Sequence, residues 1–262
     1  MGAVAVPFGV ALLATPGLAG AAQGAPAAQA NAPGAVTARV FATREGLVGR
    51  TTANGHRIVA ADHFVALPST RALADLGTGD YSVRVCTATR CVWAPVWDVG
   101  PWNIGDDYWS PSGTRAHFSD LPQGEPEAQA AYTDGYHDGR DGSGRSVRNP
   151  AGIDLADGTF TDGLRLRTNA WVRVSYLWTA SGSPTGTVRT TGWRPLTVRS
   201  APNATAPAVG LAASRAQVGI VCAAQGSAVR GTASSTSTWY ELAAGYYASA
   251  AYVQPAGDVP GC

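Results

Sequence analysis

The sequence contains no lysine, and all 19 of its basic residues are arginine. Charged residues make up only 14% of the 262-residue chain, and the net charge is +1. Nucleic-acid-binding proteins carry a basic surplus or a basic stripe, so this balance excludes nucleic acid as a partner. The chain also lacks a P-loop, a dinucleotide fingerprint and a Gly-x-Ser-x-Gly elbow. Nothing therefore indicates phosphoryl or hydride transfer, and no cofactor is predicted.

Long apolar runs are equally scarce outside the N-terminus. Val4–Leu18 is almost wholly apolar and is followed by small residues. This pattern predicts an export signal in residues 1–22. A membrane anchor is the alternative, but the run is short for a span and is broken by Pro7 and Pro16. We therefore expect a secreted, extracellular protein with no stable membrane insertion after signal cleavage.

Cysteine is limited to four residues, an even number that suits disulfides in an oxidising compartment. Cys86 and Cys91 flank a short turn, whereas Cys222 and Cys262 both lie in the C-terminal part. Of the three possible pairings, we predict Cys86–Cys91 and Cys222–Cys262; free buried thiols are the alternative. No Cys/His spacing fits zinc, and the aspartates of 134–141 miss the calcium pattern. No metal is predicted.

Composition divides the rest of the chain into four regions. They are a flexible tether at 23–40, a β-rich domain at 41–178, a Ser/Gly/Thr/Pro-rich linker at 179–192, and a second small β-domain at 193–262. Period-two alternation and turn residues predict short strands at 64–67, 81–86, 91–96, 171–178, 196–199, 216–222, 227–232, 239–242 and 246–253. Short helices are expected at 69–76, capped by Ser69, and at 125–132, begun by Pro126.

Asp98 is the first candidate for chemistry. It lies between Trp97 and Trp102, at the end of a predicted strand and just before Gly100-Pro101. Loops at strand ends commonly display functional groups, and apolar neighbours would raise the pKa of the carboxyl, as a general acid requires. A turn aspartate that accepts backbone N–H groups is the alternative.

Three further sites carry polar side chains in apolar or turn surroundings. Asn54-Gly55 is a strong turn signal, and His63 could assist proton transfer or bind substrate, although a structural histidine is the more common case. Asp154 lies between apolar residues, and composition alone favours a helix-capping role for it.

The insertion at 103–149 is long and polar, and such loops are often functional. It contains Tyr108 and Trp109 beside Asp106 and Asp107. Aromatic rings next to carboxylates suit sugars, whose faces are apolar and whose edges are polar. A solvated loop anchored by two aromatic residues is the alternative.

Four blocks of sequence, in order, resemble the rare lipoprotein A and expansin group. They are Thr52-Ala53-Asn54-Gly55, His63 with Leu67-Pro68, Asp98-Val99-Gly100-Pro101, and Ile153-Asp154-Leu155-Ala156. Residues 193–262 resemble a bacterial Src-homology-3-like (SH3-like) domain through the segments 196–202, 208–210 and 247–253. The group's Asp-Arg-Gly-Pro motif has Val99 in place of arginine here, and one extra residue separates His63 from Leu67-Pro68.

The resemblance implies a mainly β fold: a six-stranded double-psi β-barrel with a long loop insertion, followed by a small SH3-like barrel. It implies Asp98 as the catalytic acid and His63 as a helper. Its substrate would be peptidoglycan or another cell-wall polysaccharide, contacted by Asn54 and Asp154 and by the aromatic residues Trp97, Trp102, Tyr108 and Trp109.

Two classes of function follow from these expectations. The first is a monomeric, wall-associated protein that cleaves glycan strands as lytic transglycosylases do, or hydrolyses them with a second carboxylate from Asp62, Asp106, Asp107 or Asp154. The second is non-catalytic: an expansin-like wall-binding or wall-loosening module, with an open aromatic groove around a solitary Asp98. A secreted protein-binding module, with a flat apolar patch, is a further alternative.

Overall fold

A computed structural model describes residues 1–3 and 34–262. The predicted signal and the tether up to residue 33 lie outside the described residues, apart from residues 1–3. The fold is mainly β, with one α-helix, α1 (Glu127–Asp134). The strands are β1 (Thr37–Arg44), β2 (Val65–Leu67), β3 (Ser82–Cys86), β4 (Cys91–Val99), β5 (Ala151–Leu155), β6 (Ala170–Tyr176), β7 (Thr185–Val188), β8 (Leu196–Arg199), β9 (Ala208–Ala212), β10 (Gln217–Gly219), β11 (Cys222–Arg230), β12 (Ser235–Ala243), β13 (Tyr246–Ser249) and β14 (Val253–Pro255).

Strands β1 to β6 close into a six-stranded barrel. The order around it is β4-β2-β5-β1-β6-β3, and β3 pairs with β4 to complete the circle. The pairs β1–β5 and β2–β4 are parallel, and the other four are antiparallel. This closed mixed barrel is compatible with double-psi topology. It places β2 between β4 and β5, which determines the neighbours of Asp98.

The barrel begins earlier than the composition predicts. Strand β1 starts at Thr37, inside the expected tether, and pairs with β6 from Thr37↔Ser175 onward. The boundary at residue 40 is therefore wrong. Ala38, Val40 and Ala42 are buried at alternate positions, so this segment gains apolar burial as a strand.

The expected linker at 179–192 also contains regular structure. Strand β7 (Thr185–Val188) lies between β10 and β14 in a three-stranded sheet, and Gly186 and Val188 are buried. Its Ser/Gly/Thr-rich composition resembles a spacer, but pairing on both sides makes it a central strand. The C-terminal part consequently has eight strands, β7 to β14, rather than the five predicted.

The C-terminal part is joined to the barrel by backbone hydrogen bonds. Strand β9 pairs in parallel with β4 over Cys91↔Gly210 to Trp93↔Ala212, so one sheet of 11 strands runs through both parts. A Cβ atom on Gly210 would lie 2.1 Å from the Cys91 carbonyl oxygen. Glycine is required there because the two backbones approach so closely.

The predicted short helices are partly correct. The side chain of Ser69 accepts a hydrogen bond from the Arg71 amide, as predicted for an N-cap, but only a three-ten turn at Thr70–Ala72 follows. Helix α1 begins directly after Pro126 and extends two residues beyond the predicted end.

Both predicted disulfides are confirmed. Cys86–Cys91 closes the β3–β4 turn, and Cys222–Cys262 ties the C-terminus to the start of β11. Disulfides are weakly consistent with an oxidising compartment. Within 34–262, no helix combines the length and apolar character that crossing a membrane requires.

Candidate functional site

Asp98 lies at the penultimate position of β4 and is held by two backbone donors. Its Oδ1 atom accepts hydrogen bonds from the amides of Ala53 and Val99, each at 2.8 Å. The Ala53 amide is presented by a tight turn that is closed by Gly55 N–H to Thr52 O at 2.9 Å, with Gly55 at a positive φ of 93°. The Asn54-Gly55 turn signal therefore predicts the element that holds the candidate acid.

A second carboxyl group, that of Glu45, faces Asp98. Glu45 directly follows β1, and its amide donates to Leu155 O at 2.9 Å. Both of its carboxyl oxygens are buried and have no donor from elsewhere in the described chain. Burial, with the hydrogen bond to Asp98 and the charges of Asp98 and Asp154, raises the pKa of Glu45 to about 9. Glu45 therefore holds a proton at neutral pH, which allows the two carboxyl groups to lie together.

A third carboxyl group, that of Asp154, comes from β5. Ala66 of β2 is paired with Asp98 on one side and with Asp154 on the other. Asp154 accepts the Thr43 hydroxyl hydrogen bond. Burial and the charge of Asp98 raise the pKa of Asp154 to about 6, against the effect of that bond. Asp154 lies inside a strand and caps no helix, so the capping interpretation is wrong.

Glu45, Asp98 and Asp154 are called the acidic cluster below. Of the four candidates for a second carboxylate, Asp154 alone belongs to it. Asp62 instead accepts from the Val59 amide at 2.7 Å and contacts His56 Nε2 at 2.8 Å. Sequence reasoning missed Glu45, which has no motif around it and is identified only by its tertiary contacts.

The other two candidates are buried in the insertion and paired with arginine. Asp106 accepts from Arg115 Nη2 at 2.6 Å, and Asp107 accepts from Arg71 Nη1 at 2.9 Å. Burial raises the pKa of Asp106 to about 6, although the Arg115 charge opposes this. The Asp107 carboxylate joins the insertion to Arg71, which follows β2, whereas the Asp106 carboxylate pairs within the insertion.

The predicted aromatic sugar platform of the insertion is buried. The Tyr108 hydroxyl donates to Gly152 O at 2.9 Å, and Trp109 packs on Tyr176 and Trp178 with ring centroids 5.5 Å apart in each case. Tyr108 and Trp109 both belong to the main hydrophobic core. The two predicted stacking rings therefore anchor the insertion in the core and offer no free face, whereas most of residues 131–149 are exposed.

The side chains of Trp97 and Asn54 also contact other parts of the protein and are not free to bind a substrate. Trp97 is 3% exposed, stacks on Phe64 at 5.8 Å, and donates its indole N–H to Thr78 O at 2.9 Å. The Asn54 amide group donates to Ala74 O at 3.0 Å. Both side chains therefore bond to backbone carbonyl groups and have a structural role next to Asp98.

Trp102 is half-buried and follows Asp98 by four residues in the sequence. Its indole N–H donates to Asn149 Oδ1 at 3.2 Å, and the Arg145 guanidinium lies 5.9 Å from its ring centroid. Of the four predicted substrate-binding aromatic residues, Trp102 alone keeps partial exposure.

His63 faces a different set of groups. Its Nε2 atom lies 3.4 Å from Asp162 Oδ2, and within 34–262 no hydrogen bond or ion pair joins it to Asp98. The histidine lines a cleft together with residues 192–195. The expected partnership of His63 with Asp98 stays a prediction.

The described chain offers one group of three potential metal-ligating residues, Cys222, Glu241 and Cys262. Both cysteines are in the disulfide, so neither offers a thiolate. The carboxyl groups of the acidic cluster do not form such a group.

Comparison with known families gives one match. Residues 36–175 match a family described as a domain of unknown function, DUF8814. The chain belongs to this family. The matched region begins one residue before β1 and ends one residue before the end of β6, so the DUF8814 domain coincides with the closed barrel and its insertion. No curated protein and no solved structure matches the chain.

Proposed function

We propose that this DUF8814 protein is secreted, associates with the bacterial cell wall, and cleaves peptidoglycan or a related glycan with Asp98 as general acid. The observation that carries the proposal is the buried carboxyl group of Glu45, which has no partner in the described chain other than the neighbouring acidic groups of Asp98 and Asp154. With the pKa of Glu45 raised to about 9, the Glu45–Asp98 pair retains one proton at neutral pH. An acid that keeps its proton at the working pH is what protonation of a glycosidic oxygen needs.

The proposed step is lytic-transglycosylase-like. The proton held by Glu45 passes to Asp98, and Asp98 gives it to the leaving oxygen as the glycosidic C–O bond breaks. A hydroxyl of the same sugar attacks the anomeric carbon, and its proton returns to the pair. The charge of Asp154 helps to keep the proton on the pair. No water nucleophile is consumed, and the acid is restored at each turnover.

The finer fold assignment belongs to the same proposal. Mixed pairing in a closed barrel, with β2 between the strands that carry Asp98 and Asp154, supports a double-psi barrel of the rare lipoprotein A and expansin type. The C-terminal part would be an SH3-like domain that attaches the protein to the wall. A wall-loosening module without catalysis is less well supported, because Asp98 is not solitary.

The test uses the full chain, incubated with peptidoglycan sacculi and analysed for soluble anhydro-muropeptides. Asp98→Asn should reduce product formation by about 10²–10⁴-fold, the usual contribution of a general acid, and Glu45→Gln should also reduce it. Asp75→Asn removes an exposed carboxylate and should leave the rate unchanged. Sacculus binding by all variants without any product would reject the enzyme and leave the wall-binding alternative.

A further inference from the structure

A cleft with a volume of about 390 Å³ lies between the barrel and residues 192–195, which connect β7 to β8 in the C-terminal part. Its barrel wall includes His56, His63 and Asp162, and its opposite wall is the segment 192–195. We call it the Trp193 cleft. Its volume is in the range of small-molecule sites.

Trp193 is the large aromatic residue of the segment 192–195 that lines this cleft. Its side chain is 46% exposed although it is large and apolar. The ring is held edge-on by Trp97, 5.6 Å away, and the Arg215 guanidinium lies 5.6 Å from its centroid. A fixed, exposed indole in a concave site is a surface on which the apolar face of a sugar ring can stack.

His63 supplies the polar side of the cleft. It is only 6% exposed, and neither ring nitrogen makes a hydrogen bond of good geometry. The ring is tightly packed, since a Cβ on Gly158 would lie 2.8 Å from its Cε1. Burial lowers the pKa of His63, so the neutral imidazole offers one donor and one acceptor. Both nitrogens are buried from solvent, and a buried polar group without good partners is costly. A shift of the ring toward the cleft would let a ligand hydroxyl pair with one of them.

We infer that the Trp193 cleft is a subsite for one sugar ring, which stacks on Trp193 and hydrogen-bonds through its hydroxyls to His63. The lining also contains the charged residues Asp62, Asp162 and Arg194. The turn that supplies the Ala53 amide to Asp98 also carries His56, which lines the cleft. Residues 53–56 therefore link the subsite to the acidic cluster along the chain. The inference rests on the proposed function, because it places part of the glycan.

The test measures binding of β-1,4-linked N-acetylglucosamine tetramer by isothermal titration calorimetry, using full-length Asp98→Asn protein to prevent cleavage. Adding Trp193→Ala should weaken binding by at least about tenfold, the loss expected for a stacking contact. Trp171→Ala is the matched control, because Trp171 is 37% exposed and also lies under an arginine, Arg39, at 4.3 Å. It should leave the Kd unchanged.

A second variant, His63→Leu, separates binding from folding. Leucine is close to histidine in volume and removes both poorly paired nitrogens, so the Tm should equal or exceed that of the parent protein while binding is lost. Equal affinity of the parent and the Trp193→Ala variant, or no binding by the parent, would overturn the subsite. Binding that depends on Trp193, with no product from sacculi, would instead reject only the proposed reaction.

Discussion

Glu45 links the protonation of the acidic cluster to the stability of the fold. Its pKa is about 9 in the folded protein and about 4.3 in an unfolded chain. Between these values the folded state binds more protons than the unfolded state, so stability falls as pH rises. Asp154, with its pKa raised to about 6, acts in the same direction over a narrower range.

We therefore predict that the Tm decreases from pH 5 to pH 8.5 and that Glu45→Gln flattens this dependence. Glutamine keeps the size of the side chain and can donate to Asp98 without titrating. Differential scanning calorimetry at several pH values would measure the effect, with Asp75→Asn as the control for the loss of one carboxylate. Parallel curves for the Gln variant and the natural protein would contradict it.

At the residue scale, the sequence identifies Asp98 and Asp154 as candidate site residues, but it does not identify Glu45. The first two lie between apolar residues in blocks that resemble a known family. Glu45 follows Thr43-Arg44 and precedes a glycine, which is ordinary turn composition. Glu45 lies in the cluster because β1 ends beside the end of β5, where the Glu45 amide donates to Leu155 O, and that proximity is a property of barrel closure.

At the element scale, the junction between β4 and β9 depends on Gly210. Gly210→Ala would bring a methyl group against the Cys91 carbonyl oxygen and force the two strands apart. We expect it to cost about 1–3 kcal/mol, as overpacking typically does. That cost lowers the Tm by roughly 2–4 °C per kcal/mol for a protein of this size.

Gly219→Ala is the matched control for this prediction. Gly219 also lies in a strand, but nothing lies within 4 Å of a Cβ placed there, so its Tm should be unchanged or slightly higher. Equal Tm values for the two variants would show that the strands can separate without loss of stability.

The strands that the sequence predicts best are those with a clear alternating pattern, such as β3 and β8. Strand β7 is not predicted because glycine and threonine give it the composition of a loop, and β9 is not predicted because it is a short run of mostly small residues with a central glycine. Their burial comes from neighbours distant in sequence. The same limit explains Tyr108 and Trp109: polar neighbours suggest exposure, whereas paired aspartates and arginines carry the segment into the core.

At the scale of the whole molecule, the two disulfides should contribute unequally to stability. They close segments with sequence separations of 5 and 40 residues. In the chain-entropy model, these separations correspond to about 2 and about 4 kcal/mol, respectively. The double variant Cys222→Ala/Cys262→Ala should thus lose about twice as much unfolding free energy as Cys86→Ala/Cys91→Ala. Denaturant unfolding measures both, and the reverse order would contradict the prediction.

The parallel pairing of β9 with β4 also sets how the two parts of the protein can cooperate. When two domains are joined by a flexible linker, each can take many positions relative to the other. Once one domain has bound a ligand, the binding of the second depends on an effective local concentration set by the linker length. Here three backbone pairs, Cys91↔Gly210 to Trp93↔Ala212, fix the geometry. Under the proposed function, a glycan held by the C-terminal part would meet the acidic cluster at one fixed distance along its length. The distance between the two sites would then set the spacing between cleavage positions. Glycans shorter than that distance would not bind more tightly because of the C-terminal part.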